Sequence, residues 1–579
     1  MGTAAGMRTL AAGCIAVLLA ASCGGSGDEA PPSEESTHAG GTTVPGSVVP
    51  TPDYEALGAE LDELRELLLI PGMSAAVVHD QELVWTAGFG HADIDGDVPA
   101  GPDTPFHLAS VTKPVASTML MQLVEEGVLD LEDPVADFGV ELENEGEGAI
   151  QVQHLLTHTS SGVPGDLHDY DGNRFAFLGA VAESATGIPF TELMFDRILQ
   201  PAGMTHSAGG DGPACNAVPT GKPIDTEGEQ VRALLARPYQ LDLDYRVVES
   251  LYPEGYSPAA GLVASVTDIA AFDIALDRGE LVGQATVDAM FEQVVPTAPP
   301  RQDLAYGLGW YSQTFDDTRL VWHSGRWPPS VSALYLKVPD HDLTFIAAGN
   351  TPNLTTPFPL GRGDVMSSAL ALSFYRHVLY ERMHHAAPPD IDWTADESEL
   401  AAALTATTDP DGRRLLQREL WARRQATYSV GLDAEFDRLD RVYAAAFPGS
   451  VELSRHLARA SDTPRLADGV ELSPAELEMY VGTYTVDMDE SIWPPDLDAP
   501  PDPVKIELRN SELEACAADS PPSPLVPLGN HEFQGTGGPS GSFVVTAIVE
   551  DGDVEGLRVP FGAEGLTERV ELVYRRASG

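Results

Sequence analysis

The spacing of apolar positions predicts a mixed α/β region that begins near residue 53. Between residues 54 and 68 apolar side chains recur every three or four residues, which places them on one face of a helix that Asp53 can cap. Two apolar runs suited to strands follow at 74–79 and 82–88. The polar pair between these runs predicts a hairpin.

Further runs suited to strands occur much later, at residues 320–322, 332–337 and 343–349, after a largely helical middle. Early and late strands around helices indicate one sheet that is built from both ends of the segment. We therefore predict an α/β (α+β) domain over residues 53–385, with a central antiparallel sheet and a helical region.

Two further units are predicted beyond residue 385. Residues 386–465 are rich in Ala, Leu, Arg and Glu, which predicts a helical connector. Residues 466–579 contain short apolar runs separated by Gly, Pro, Asn and Asp, which predicts a small C-terminal antiparallel β-barrel or sandwich. In the connector we expect five arginines to form a solvated helix face: Arg413, Arg414, Arg418, Arg423 and Arg424.

The first 23 residues have the features of a processing segment. Arg8 precedes an apolar run that is too short to span a bilayer, and small residues lead to Cys23. This stretch resembles a bacterial lipoprotein signal, whose cysteine is lipidated, and an ordinary secretory signal is the alternative. Residues 24–52 are rich in Gly, Ser, Pro and Thr, which predicts a flexible linker. We expect an exported protein of the bacterial cell envelope, held at a membrane through Cys23 alone.

Charge composition excludes some classes of partner. The 579 residues include 33 Lys plus Arg and 89 Asp plus Glu, a net charge of −56, which argues against a nucleic-acid binder and a polybasic membrane-surface protein. Lysine is scarce, since the chain has only Lys113, Lys222, Lys337 and Lys505. The sequence leaves open whether Cys215 and Cys516 pair.

The first candidate for chemistry is Ser110, at the start of a predicted helix, with Lys113 three residues later. Residues three apart on a helix lie on the same side. A serine hydroxyl needs a neighbouring base, and a lysine can be that base when burial lowers its pKa. The N–H groups of a helix N-terminus can also stabilise an oxyanion. The pair therefore predicts nucleophilic catalysis.

Residues 106–114 (F-x-x-A-S-V-T-K-P) resemble the serine β-lactamase and penicillin-binding-protein-like hydrolases of class C type. The resemblance covers about residues 54–385, and residues 477–484 resemble the start of a lipocalin-like domain found in some relatives. Further matching stretches follow in the family's order, at 152–162, 178–187, 201–205, 258–268, 306–310 and 323–325.

The resemblance assigns Ser110 as nucleophile, with Lys113 and Tyr170 moving the proton. Tyr170 is found by counting back from the Leu-Gly pair at 178–179, and beside Lys113 we expect its phenol to have a lowered pKa. The position of the family's asparagine falls on Gly172, with Asn173 one residue later. A substrate hydrogen bond from that amide is therefore displaced to Asn173 or lost.

The triad His323-Ser324-Gly325 matches the family's Lys-Thr-Gly, with His in place of Lys. The resemblance places it on an edge strand opposite the serine, where His323 is a catalytic candidate and Ser324 and Gly325 contact substrate. The N–H of Arg326 would be the second oxyanion donor beside that of Ser110. Since His occurs here in peptidase-like and esterase-like relatives, it argues against a dedicated β-lactamase.

These residues imply an acyl-enzyme mechanism on amide or ester bonds, with D-amino-acid peptides favoured and peptidoglycan fragments as one source. An esterase or a true β-lactamase of the same fold is the alternative. A non-catalytic envelope lipoprotein that binds cell wall is the alternative of another class.

His154 and His158 have a spacing that can bind zinc, but no further ligand is evident. We expect neither a metal nor a cofactor.

Overall fold

The computed structural model describes residues 52–142, 148–209 and 226–448, with short gaps, and parts of 472–576. The predicted signal segment with Cys23, the linker up to residue 51, and Cys215 lie outside the described residues, as does the side chain of Cys516. The short gaps are residues 243–244, 253–254, 293–294, 297–303, 328–329, 359 and 361–363, and the later stretches described are 472–486, 504–509, 512–516, 523–529, 531–538, 541–550, 553–561 and 570–576.

The first helix begins as predicted, because Asp53 Oδ1 accepts the Ala56 N–H at 2.9 Å and leucines at helical spacing are buried. Within the described residues, no helix has the length and hydropathy needed to cross a membrane. The α-helices are α1 (Tyr54–Leu67), α2 (Thr112–Glu125), α3 (Val152–Leu156), α4 (Gly172–Ala176), α5 (Leu178–Thr186), α6 (Phe190–Met194), α7 (Thr226–Ala233), α8 (Val266–Asp277), α9 (Gln284–Phe291), α10 (Ala369–Phe374), α11 (Tyr380–His384), α12 (Glu397–Ala406), α13 (Pro410–Ser429), α14 (Asp433–Ala446) and α15 (Pro474–Leu477).

Most strands of the first 350 residues belong to one antiparallel sheet, and the others form two small sheets beside it. The strands are β1 (Gly72–His79), β2 (Glu82–Asp93), β3 (Val98–Pro99), β4 (Phe106–His107), β5 (Ala208–Gly209), β6 (Tyr239–Leu241), β7 (Val247–Glu249), β8 (Leu262–Ala264), β9 (Val295–Pro296), β10 (Leu304–Tyr306), β11 (Tyr311–Phe315), β12 (Thr318–Trp327), β13 (Val331–Val338) and β14 (Leu343–Gly349).

The main sheet joins both ends of the domain, as the sequence predicts. Its order among the described strands is β3-β2-β1-β14-β13-β12-β11-β10-β9. The first strand pairs antiparallel with the last, from Met73 opposite Gly349 to His79 opposite Leu343. The helical middle of the domain is therefore inserted, along the chain, between the early and the late strands of a single sheet.

Alternation along β1 divides its side chains between two hydrophobic cores. Ala76 and Val78 pack in the core that contains the buried faces of α2, α5 and α8, whereas Ala75 and Val77 pack with α1 and α10. Successive side chains of a strand point to opposite faces. Helices thus cover both faces of the sheet, and the Ser110 helix α2 belongs to the first core.

The predicted connector is helical from 397 to 446, and α13 packs in the second core through Leu415, Ala422 and Ala426. The expected solvated arginine face is wrong for two members, since Arg423 is 6% and Arg424 0% exposed. Arg423 pairs with Glu60 and Glu63 of α1, and Arg424 pairs with Asp440. Buried guanidinium groups need such partners.

Eight strands of the C-terminal region pair antiparallel in chain order, and the first also pairs with the last, so that the strands form a closed ring. Its interior includes Tyr484, Phe533 and Leu557. A likeness to lipocalins remains a prediction. The strands are β15 (Gly482–Val486), β16 (Val504–Arg509), β17 (Glu512–Cys516), β18 (Ser523–Gly529), β19 (Glu532–Gly538), β20 (Gly541–Glu550), β21 (Asp553–Phe561) and β22 (Val570–Arg576).

Candidate active site

Ser110 lies in a short 3-10 turn that leads directly into α2. The preceding Ala109 has a φ of 46°, in the left-handed region that non-glycine residues rarely adopt. Its N–H donates to His107 Nδ1 at 3.1 Å, and its carbonyl accepts from Thr112 Oγ1 at 2.7 Å. These two hydrogen bonds hold the turn, and Ser110 is partly exposed while both its neighbours are buried.

Lys113 lies beneath the serine, as its spacing predicts. Its Nζ is 3.1 Å from Ser110 Oγ and donates to the Ala259 carbonyl at 2.9 Å. The rings of Tyr170 and Phe175 lie 5.0 and 5.3 Å from the same nitrogen. The side chain is 1% exposed. The amine therefore has a carbonyl, a hydroxyl and two ring faces around it.

Burial lowers the pKa of Lys113 from 10.5 to about 7, because the charged ammonium loses its hydration. The Asp171 carboxylate acts in the opposite direction and raises this pKa. A substantial fraction of the lysine is consequently neutral near pH 7, and the neutral amine can accept the proton of Ser110.

Tyr170 completes this group, and its phenol is hydrogen-bonded to Ser110. The expected lowering of the Tyr170 pKa is wrong, because burial of the hydroxyl raises that pKa and the Asp171 charge raises it further. Tyr170 as a whole is 36% exposed. The phenol therefore stays protonated at neutral pH and can donate a proton or a hydrogen bond.

Gly172, the position to which the count from residues 178–179 assigns the family's asparagine, lies next to Lys113. A Cβ atom at Gly172 would be 3.7 Å from Lys113 Nζ. Asn173 follows in the first turn of α4, where its N–H donates to Asp171 Oδ1 at 2.8 Å. The assignment of the family's asparagine position to Gly172 and substrate binding by Asn173 both stay predictions.

His323 is buried at 1% exposure, with its ring 6.0 Å from that of Tyr170. Nδ1 lies 2.7 Å from the Ser324 carbonyl oxygen, which can only accept, so Nδ1 carries the proton. Nε2 then accepts from Tyr306 Oη at 3.1 Å. Burial lowers the pKa of His323 to about 3, with a contribution from the Lys113 charge. The imidazole is therefore neutral at neutral pH.

The strand β12 is an edge for half of its length only. Residues 318–322 pair with β11 on one side and with β13 on the other from residue 321 onward, whereas among the described strands only β13 pairs with 323–327. Gly325 lies in this unpaired half of the strand, and a Cβ atom at Gly325 would lie 2.0 Å from the Leu108 carbonyl. Only glycine permits this approach to the Ser110 turn. The oxyanion role of the Arg326 N–H stays a prediction.

Three contacts of the site carry no sequence signal that we could identify: the Asp171 carboxylate, the Ala259 carbonyl and the His107 acceptor. Asp171 and Ala259 lie in loops whose positions only the fold decides, and His107 ends the two-residue strand β4. His154 Nδ1 accepts from Gln151 N–H and His158 Nδ1 from Asp171 N–H, both at 3.1 Å. Among the described residues, no group of three or more His, Cys, Asp or Glu is arranged to hold a metal ion.

Comparison with known proteins gives relatives of several kinds. Esterase EstB from Burkholderia gladioli is 31% identical over 202 residues, which cover 26% of this chain and 51% of EstB. PbpX of Bacillus subtilis (strain 168), named as a penicillin-binding protein, is 27% identical over 265 residues, 41% of this chain and 61% of PbpX. The chain thus spans between half and two thirds of these curated relatives.

Among solved structures, the octameric penicillin-binding protein homologue from Pyrococcus abyssi is similar at 17% identity and a TM-score of 0.47, over 90% of this chain and 100% of that one. The Beta-lactamase family model matches residues 61–367, which is more than half of the chain and includes Ser110, Lys113, Tyr170 and His323. The chain therefore belongs to the beta-lactamase family.

Proposed function

We propose that this protein is an exported serine hydrolase that cleaves amide or ester bonds through an acyl-enzyme. The observation that carries the proposal is the contact of 3.1 Å between Lys113 Nζ and Ser110 Oγ in a buried site. A buried amine with a pKa of about 7 beside a hydroxyl is a general base positioned next to its nucleophile.

In the first half of the reaction, Ser110 Oγ attacks the substrate carbonyl carbon and its proton passes to Lys113 Nζ. The Ala259 carbonyl orients the amine by accepting one of its N–H groups. The protonated Tyr170 phenol then donates a proton to the leaving nitrogen or oxygen as the carbonyl–leaving-group bond breaks. The phenolate that remains recovers a proton from the Lys113 ammonium, which restores the neutral amine.

In the second half, water attacks the acyl–Ser110 ester while the neutral Lys113 amine accepts a proton from it. The Lys113 ammonium then returns that proton to Ser110 Oγ as the ester bond breaks and the acid is released. The N–H groups of Ser110 and Arg326 are proposed to hold the oxyanion in both halves. Ser324, Gly325 and Asn173 are proposed to contact substrate beside it.

D-amino-acid peptides, including fragments of peptidoglycan, are the proposed substrate class, on the ground that a neutral His323 replaces the lysine typical of β-lactamases. Small esters are the second candidate, and the 31% identity to an esterase over 202 residues favours them. Lipidation at Cys23, location in the cell envelope and the absence of any nucleic-acid partner are part of the same proposal.

The test is a screen of D-peptides, small esters and β-lactams, combined with labelling by a fluorescent penicillin and a fluorophosphonate. We expect at least one probe to label the wild type and not Ser110→Ala. Ser117→Ala is a matched control, because Ser117 is a buried serine on α2, the helix that follows the Ser110 turn. If neither probe labels in a Ser110-dependent way, the acyl-enzyme proposal is wrong. Binding of muropeptides without turnover would favour a non-catalytic cell-wall-binding protein.

A further inference from the structure

We propose that His158 is a positioning residue that fixes the loop segment carrying Tyr170, so that the phenol meets Ser110. This inference rests on the proposed function, in which Tyr170 transfers a proton. His158 follows α3 and is 2% exposed. The spacing of His158 from His154 in the sequence can bind zinc, but in the structure His158 contacts the segment around Tyr170.

His158 makes hydrogen bonds to the residues on either side of Tyr170. Its carbonyl oxygen accepts from the Asp169 N–H at 2.7 Å, and its Nδ1 accepts from the Asp171 N–H at 3.1 Å. The backbone of Tyr170 is therefore held at both ends by a single residue. His158 has a φ of 53°, in the left-handed region that non-glycine residues rarely adopt.

The His158 ring also provides the surface on which the phenol ring rests. The centroids of the His158 and Tyr170 rings are 4.2 Å apart and the planes are tilted by 34°. Phe175 and Tyr306 surround the same imidazole at 5.2 and 5.1 Å. A rotation of Tyr170 would have to move a ring that is itself packed on several sides.

The hydrogen bond requires a neutral imidazole, because Nδ1 must be an acceptor. Burial lowers the pKa of His158 well below its usual value, and the Lys113, His168 and His323 charges would lower it further. The proton then lies on Nε2, which is buried and has no hydrogen-bond partner among the described residues. The sequence thus keeps an unpartnered N–H in the core in order to present Nδ1 to Asp171.

Two variants of equal shape separate the acceptor from the volume. In His158→Asn the amide oxygen can take the place of Nδ1, whereas His158→Leu has no acceptor. We expect the Leu variant to lose about 100-fold in the rate of Ser110 labelling by the fluorophosphonate, as a displaced catalytic group does. The Asn variant should stay within about tenfold of the wild-type labelling rate, because its amide oxygen keeps the hydrogen bond to Asp171 and so keeps the phenol in place.

Leucine is also strained at a φ near 53°, so a backbone control is needed. His385 has the same φ of 53° at an exposed helix end, and His385→Leu should lower the melting temperature without changing the labelling rate. The labelling rates of the His158 variants are compared per folded molecule. Equal loss in the Asn and Leu variants would overturn the inference.

A double-mutant cycle tests whether His158 acts through Tyr170. If it does, His158→Leu should cost much less in a Tyr170→Phe background than in the wild type, because the phenol it positions is already absent. Independent, multiplying losses would contradict the positioning role. A wild type that is not labelled at all would instead contradict the proposed function, so the two failures are distinguishable.

Discussion

Two buried lysines with opposite electrostatics distinguish the active site from the core. Lys113 is 1% and Lys337 2% exposed. Lys113 donates to a carbonyl and meets a hydroxyl, and its pKa falls to about 7 because of burial. Lys337 also loses hydration, but Asp273 and Asp277 form ion pairs with it and raise its pKa.

The comparison teaches that burial alone does not decide the state of a lysine. Around Lys337 the two carboxylates outweigh the loss of hydration, and Tyr335 completes the network by donating to Asp273 at 2.6 Å. Around Lys113 the carboxylate that raises the pKa is that of Asp171, which is only partly buried and whose Oδ1 accepts the Asn173 and Arg174 N–H groups at the start of α4. One lysine is a permanent cation that stabilises the sheet, and the other is available as a base.

Replacing the active-site lysine should have the largest effect. In Lys113→Met, we expect labelling of Ser110 by the fluorophosphonate to fall by about 10⁴-fold, because the serine loses its base. The free energy of unfolding should be unchanged or higher, since a poorly solvated amine is removed. A variant that kept more than a tenth of the wild-type labelling rate would show that another group is the base.

Replacing the core lysine should reverse this pattern. Lys337→Met leaves Asp273 and Asp277 without their cation, which costs about 3–5 kcal/mol for a buried pair. Urea denaturation should show the loss, while the folded fraction is labelled at the wild-type rate. Unchanged stability would mean that the two carboxylates are protonated or hydrated in the folded protein.

The pH dependence follows from Lys113, which has no ion-pair partner among the described residues. The value of kcat/KM should rise about tenfold per pH unit below pH 7 and level off above it, as Lys113 becomes neutral. His323, with a pKa of about 3, does not titrate in this range. A profile that is flat between pH 5 and 7 would count against Lys113 as the base.

Stability should respond to the same group. Since the pKa of Lys113 is about 7 when folded and near 10.5 when unfolded, the unfolded chain binds more protons between these values. The contribution of Lys113 to the free energy of unfolding therefore rises with pH across this window. Its sign is checked by subtracting the curve measured for Lys113→Met.

The smallest expected effect is a shift of the pH profile when Lys113 loses its nearby carboxylate, which makes its surroundings differ still more from those of Lys337. Asp171→Asn removes the carboxylate that raises the pKa of Lys113, so the acid limb of the kcat/KM profile should move to lower pH, by less than about one unit. The amide oxygen can still accept from the Asn173 and Arg174 N–H groups, which preserves the α4 cap. A shift toward higher pH would contradict the assignment of the limb to Lys113.

Much of the fold could be predicted, because it depends on local periodicity. The α1 cap at Asp53, the β1–β2 hairpin and the helices between 397 and 446 follow from patterns of a few residues. The environments of the arginines in α13 could not be predicted in this way, because Arg423 is buried by carboxylates of α1, more than 350 residues earlier.

The sequence by itself determined the pairing of Ser110 with Lys113, because residues three apart at the start of a helix lie on the same side of it, whatever the rest of the chain does. It also located Tyr170 and the strand of His323 through motif order. The tertiary structure alone decided the protonation of these groups. Burial lowered the pKa of the lysine, so that its amine is partly neutral, and raised the pKa of the phenol, so that it stays protonated. Ala259, Asp171 and His158 reached the site from distant loops. Solvation and long-range contacts are properties of the folded chain, so a sequence pattern does not contain them.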